Sequence, residues 1–148
     1  MPSNDSTLDA RIRESFAKQG LMQTLGATIV EVAPGAVTIA LAASPSISQQ
    51  HGFVHAGAVA SIADTAAGYA ALTLMPPTAG VLTVEFKINL MAPAKGDTIL
   101  ARGRVVKSGR TITVSQTEVV AVSSGEEKTV ALLVATMMCI EGRAGIAN

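Results

Sequence analysis

Hydrophobic and polar positions alternate most cleanly between Leu82 and Leu90. Leu82, Val84, Phe86, Ile88 and Leu90 share one phase; Thr83, Glu85, Lys87 and Asn89 share the other. That period of two predicts a half-buried strand. Upstream, Leu8, Ile12, Phe16 and Leu21 recur with charges between them, predicting a helical segment over about 8–25 that breaks near Gly20. Ala27–Val32 and Ala36–Leu41 are β-rich runs around Pro34-Gly35, a hairpin signal. Ser44–Val54 reads as a polar loop. Ala56–Met75 is a long Ala-rich helical run, stopped at Pro76-Pro77. After the alternating strand, Ala92–Asp97 reads as a turn. Thr98–Lys107 and Thr111–Val122 follow as strands joined at Ser108-Gly109-Arg110. Lys128–Ile140 is a last, strongly apolar strand after the Ser124–Glu127 turn, and the chain from Glu141 is a short tail.

Successive strands with short turns imply an antiparallel sheet, and one long helix can cover one face of it, so the fold class is α+β. A chain of 148 residues fits a single domain spanning 1–148, with its core over about 27–140. Apolar residues make up 49% but aromatics only 3%, so that core must be Val, Ile, Leu, Met and Ala. Eleven basic residues balance eleven acidic ones, which argues against nucleic acid or a membrane as partner but leaves room for a local basic patch. Cys139 is the sole cysteine and lies in an apolar strand; an inert core thiol and a cytoplasmic protein are expected. The first residues lack the basic and apolar regions of a signal peptide. Ala56–Met75 approaches membrane-spanning length, but Asp64 interrupts it and small residues dominate it, so a buried helix is expected. Two histidines and one cysteine show no metal-ligand spacing. No Walker loop, dinucleotide fingerprint or Gly-x-Ser-x-Gly elbow occurs. No metal and no cofactor are therefore expected.

The informative chemistry is His51–Asp64. A glycine-containing loop runs into the Ala-rich helix, and Asp64 is the one carboxylate in that helix. A buried carboxylate is unfavourable without partners or a task. The helix start nearby offers free N–H donors to a negative oxygen. At a hundred degrees per residue, Asp64 shares a face with Gly57, Ala60, Ser61, Gly68 and Ala71, all small. The bulkier Val59, Ile62, Ala66, Tyr69 and Thr73 lie opposite. Space beside Asp64 follows, although a purely structural carboxylate would give the same pattern.

The string His55-Ala56-Gly57 with Asp64 seven positions on resembles the His-Gly-Gly…Asp signature of the hotdog-fold thioesterases, closest to the phenylacetate-degradation (PaaI-type) acyl-CoA thioesterases. Val84–Ala94 resembles the strand that follows the central helix in that family, and the resemblance covers about Phe16–Ile140. It implies a hotdog fold, with the sheet wrapped around the helix. It also implies hydrolysis of an acyl- or aryl-acyl-CoA thioester to free acid and CoA, the CoA being part of the substrate. Asp64 would be general base or nucleophile, and the N–H groups of Ala56 and Gly57 the oxyanion donors. Gln49 occupies a family Asn/Gln position that could hold the water or the carbonyl, with Gln50 beside it. Thr83 matches a Ser/Thr that assists the carboxylate, and His55 would shape the helix start. Ala56 departs from the family glycine; its methyl could narrow the acyl pocket. Arg102, Arg104, Lys107 and Arg110 gather near the turn at Gly109, and Lys107, Gly109 and Arg110 are the candidates for meeting the CoA phosphates.

Gly57 and Asp64 are seven residues apart, roughly 10 Å along a helix axis. A base and an oxyanion donor must both lie about 3 Å from one reacting group. One helix cannot easily supply both; two antiparallel helices from two copies can. The resemblance implies the same, a homodimer or dimer of dimers with shared active sites. Two rivals stand beside the thioesterase reading: a catalytically silent acyl-CoA-binding module, and a hotdog hydratase or dehydratase. The second would want a histidine in the helix body, where none occurs.

Overall fold

The computed structural model describes residues 4–147. Two helices, α1 (Asn4–Phe16) and α2 (Gly20–Leu25), precede the hairpin strands β1 (Thr28–Ala33) and β2 (Ala36–Ala42). A loop leads to α3 (Ala56–Leu72). Then come β3 (Gly80–Leu90), β4 (Thr98–Lys107), β5 (Ile112–Ser123) and β6 (Glu126–Ile140). The six strands form one antiparallel sheet in the order β1-β2-β4-β5-β6-β3, and α3 packs across its inner face. This is the expected α+β hotdog architecture. Among the described residues no helix is long and apolar enough to cross a membrane.

Small side chains let the helix approach the sheet closely. A Cβ on Gly103 of β4 would stand 2.4 Å from the carbonyl carbon of Ala66, so only glycine fits there. Thr117 of β5 is fully buried under α3, and its hydroxyl donates to the Ala63 carbonyl at 2.8 Å, so its burial leaves no unmet polar atom. On the far side, Ile12 of α1 is buried, and the Arg11 Nη2 donates to the Leu72 carbonyl at 2.6 Å. A cation at a helix C-terminus satisfies an orphan carbonyl and suits the helix dipole. The Ser124-Gly125 turn is tighter than expected: both residues have positive φ, 52° and 79°, the geometry of a two-residue hairpin, and β6 begins at Glu126, not Lys128.

Two features of β3 depart from the sequence reading. It is not hairpinned to β4. Residues Ala92–Asp97 form a crossover past β6 and β5, and β3 lies at the sheet edge, paired with β6 alone. Local patterning reports a strand's faces but not its neighbours. Second, its apolar phase does not all face the core. A register shift between Thr83 and Glu85 breaks the alternation. A bulge adds a residue and flips the sides beyond it. Val81 and Thr83 therefore face α3 together with Phe86 and Ile88, while Val84 is 54% exposed.

Candidate functional site

α3 carries Asp64 on the small-residue face, as its spacing requires. The bulky opposite face, from Val59 to Tyr69, is buried. Beside Asp64 lies a cleft of about 340 Å³, closed on the sheet side by Val81, Thr83 and Phe86. The space runs along the helix from Ala60 to Gly68, and Ala71, fully buried, does not line it. The Thr83 hydroxyl donates to Asp64 Oδ1 at 2.9 Å. Burial pushes the Asp64 carboxyl above the ordinary carboxylate range, and the Thr83 hydrogen bond opposes that only in part. The result is a half-buried carboxylate, more basic than an exposed one, with one oxygen held and space at its side. Such a group can accept a proton from water or attack a carbonyl.

The helix start is built by His55. Its backbone is extended, and its Nδ1 accepts the Gly57 N–H at 2.7 Å, capping α3 in place of the usual Ser or Asp. The imidazole proton must then reside on Nε2. His55 thus shapes the helix start, and the Gly57 N–H is engaged by it. A Cβ on Gly57 would lie 3.0 Å from Nδ1, so a side chain there would crowd the cap. The N–H groups of Ala58 and Val59 reach the His55 carbonyl at 3.0 and 3.1 Å. The Ala56 N–H, first in the helix, has no intrahelical acceptor. Ala56, His55 and Gln49 line a second cleft of about 510 Å³, whose walls include Phe53, Leu90 and Met91. Gln49 accepts the His51 N–H through Oε1, which leaves its amide NH₂ for other partners. Gln50 is exposed at the loop tip and lines neither cleft.

The chain therefore brings Asp64 to Thr83, and Ala56 to Gln49 and His55, but places the two groups in different clefts. Lys107, Gly109 and Arg110 are exposed at the β4–β5 connection. The ladder runs Ile112–Met138–Leu82, so that connection sits at the Thr83 end of the sheet, two strands from β3. A Cβ on Gly109 would lie 2.4 Å from the Ile112 carbonyl, which accounts for the glycine. Arg102 does not join this cluster. Its Nη1 donates to Glu127 Oε2 at 2.8 Å, with a second bond to Oε1, so β6 neutralises it far from the turn. The Cys139 thiol packs against the core, and burial holds its pKa up, in keeping with an inert thiol. Among the described residues no group of His, Cys, Asp and Glu could hold a metal ion.

Gln19, Leu21, Tyr69 and Phe86, among the residues that line the space beside Asp64, were not marked as site residues by the sequence. Phe86 was concealed by the bulge. Gln19 and Leu21 come from the α1–α2 elbow, which carries no motif. Tyr69 was placed on the buried face, correctly, but its hydroxyl reaches back to Ser15 at 3.0 Å and Gln19 at 3.1 Å.

Residues 51–128 match the thioesterase superfamily. A thioesterase family protein of Silicibacter pomeroyi is 45% identical with a TM-score of 0.89, the match covering 91% of this chain and 99% of that one. The PaaI protein of the phenylacetic acid degradation operon of E. coli shares the fold, at 24% identity and a TM-score of 0.82 over 91% of this chain and 94% of its own. The 1,4-dihydroxy-2-naphthoyl-CoA hydrolase of Listeria monocytogenes is 26% identical over 91 residues, 62% of this chain and 74% of that protein. The matched span contains both the capped helix start and Asp64, so the chain belongs to the hotdog-fold thioesterase superfamily and is a thioester hydrolase.

Proposed function

We propose that this protein is a cytoplasmic acyl-CoA thioesterase whose active sites are each shared by two copies of the chain. The carrying observation is the hydrogen-bonded pair of Asp64 and Thr83, half-buried in a cleft separate from the one that Ala56 and Gln49 line. Asp64 takes the proton of an attacking water, or attacks the carbonyl itself. The Ala56 N–H of the other copy receives the developing oxyanion, and Gln49 holds the water or the carbonyl. The likeness to a naphthoyl-CoA hydrolase supports a CoA thioester as substrate. Lys107 and Arg110, at the Thr83 end of the sheet, would meet its phosphates.

The edge of β3 supports the sharing. An eleven-residue edge strand with Val84, Phe86 and Leu90 exposed is a template for pairing with another chain. Glu85 and Lys87 follow the bulge on the face away from the helix, with Glu85 accepting from Thr136 across the β3–β6 pair. Antiparallel pairing of two copies about Phe86 would oppose each Glu85 to the other's Lys87, a favourable cross-strand pair. It would also lay the Thr83 end of one strand beside the Leu90 end of the other, joining the Asp64 cleft of one copy to the Ala56 cleft of its partner.

Mixing two inactive variants tests this. Asp64→Asn removes the base; Gly57→Val disturbs the helix start by crowding His55. Each alone should be nearly silent. A mixed dimer collects both lesions in one site and leaves the other intact, so up to about half the activity per mixed dimer should return. No rescue, with subunit exchange seen by native mass spectrometry and both variants folded, rejects the shared site.

A further inference from the structure

The α1–α2 elbow does more than cover the helix: it walls the cleft beside Asp64. Gln19 stands just before α2 and makes no cap with its side chain. Instead its Nε2 crosses to the Tyr69 hydroxyl at 3.1 Å, and that hydroxyl shares a second hydrogen bond with Ser15 at 3.0 Å. Tyr69 is buried, and its ring meets Phe16 with centroids 6.1 Å apart. These contacts hold the elbow against α3. Two residues later, Leu21 lines the cleft and is 55% exposed.

We propose that this cleft receives the acyl group, and that Gln19 and Leu21 determine which acyl groups fit. The inference rests on the acyl-CoA reading above. Asp64 fixes the reacting carbonyl at one side of the cleft, so one of the carbonyl's two substituents must occupy the remainder. The CoA arm ends in phosphates. The cleft contains no cation, and its one charge is the Asp64 carboxylate, so it would repel them. Leu21, Val81 and Phe86 form its apolar side with Ala60 and Gly68, and Gln19, Ser61, Thr65 and Thr83 add polar but uncharged groups. The apolar side suits a hydrocarbon substituent, and the uncharged polar groups suit it better than a phosphate. The cleft holds about 340 Å³, at the small end of ligand pockets, and Gln19 and Leu21 are among its walls, so a longer acyl chain must run past them or leave the cleft. Tyr69 acts as a positioning residue through Gln19.

The test is a length profile of kcat/KM over straight-chain CoA thioesters from acetyl to palmitoyl. It is run on the unaltered protein, Gln19→Ala, Leu21→Ala, Tyr69→Phe and Asp64→Asn. The unaltered protein should favour the shorter members. Gln19→Ala and Leu21→Ala should raise the palmitoyl-to-hexanoyl ratio by about tenfold or more, the low end of what a methylene-sized change in a fitted apolar pocket does. Tyr69→Phe should move it in the same direction by less. A merely structural role would lower all rates together and leave the ratio alone. Calorimetric affinities for the matching S-alkyl-CoA thioethers give the same profile without turnover. An unchanged profile in both Gln19→Ala and Leu21→Ala, by rate and by affinity, overturns the acyl-wall assignment even if Asp64→Asn is inert. Full turnover by Asp64→Asn strikes at the catalytic reading instead, and is scored separately.

Discussion

Asp64→Asn separates a working carboxylate from a structural one, because the two roles predict opposite changes in stability. Asparagine has nearly the same shape, and its Oδ1 can still accept the 2.9 Å hydrogen bond from Thr83, so the local geometry should persist. What disappears is the base. Loss of a general base slows turnover by about a hundredfold or more, or roughly 2.7 kcal/mol of transition-state stabilisation at 1.36 kcal/mol per decade. For stability the sign follows from burial. Desolvation raises the folded-state pKa of Asp64 above its unfolded value. Between those two values the folded chain binds more protons, so its stability falls as pH rises through that window and stays lowered above it. At neutral pH the ionised Asp64 therefore destabilises the fold, and the asparagine variant should melt higher than the unaltered protein. Below the ordinary carboxylate range, where Asp64 is protonated in both states, that advantage should vanish. Free-thiol release measures the first effect and thermal melts at two pH values the second. Near-normal hydrolysis, or a lower melting temperature at neutral pH, would refute the reasoning; the second result would mean that the charge anchors the fold.

Thr83→Val removes the hydrogen bond that holds the Asp64 pKa down, so the acid limb of the kcat/KM profile should move to higher pH. Thr83→Ser should restore it, and superimposable limbs for valine and serine would take Thr83 out of the site. Gly103→Ala drives a methyl into the Ala66 backbone, which cannot rotate away, and should cost about 1–3 kcal/mol, a drop of several degrees in melting temperature. An unchanged melt would show that α3 does not press so closely on β4. Lys107→Ala with Arg110→Ala should raise KM for the CoA thioester several-fold with little change in kcat. A substrate lacking the 3′-phosphate and adenosine should be indifferent, and equal effects on both substrates would remove the turn from the phosphate site.

The legible parts of this molecule were those with a short-range cause. Helix α3 announces itself through its alanines and its Pro76-Pro77 stop, and Asp64 through being the one charge within it. The face shared by Gly57, Ala60, Ser61 and Asp64 follows from helical spacing, and the cleft is where that spacing leaves room. The Asp64–Thr83 pair was legible only through the family likeness. The strand pattern placed Thr83 on the polar side, and it is the bulge before Glu85 that turns it toward the helix. Long-range causes left weaker traces. Whether Ala92–Asp97 is a hairpin or a crossover depends on which strand β3 pairs with, and its own residues do not encode that choice. Gly103 carries no signal until the helix is known to lie against it. The pairing of Arg102 with Glu127 joins residues twenty-five positions apart, across β4 and β6, so its guanidinium looked available for phosphates until the sheet was assembled.

The same distinction explains the division of the site. In the proposed shared site, a helix that carries a carboxylate part-way along and the Ala56 N–H at its start would complete a site by meeting its own duplicate reversed. The distance between Ala56 and Asp64, about 12 Å along the axis, is too long for one reacting carbonyl. It is well suited to two antiparallel helices, each start facing the other's carboxylate. The unpaired apolar edge of β3, which the alternating pattern presents as core, is where that duplicate would attach. Val84, Phe86 and Leu90 read as buried residues in the alternating pattern and are exposed in the single chain; the proposed assembly would bury them.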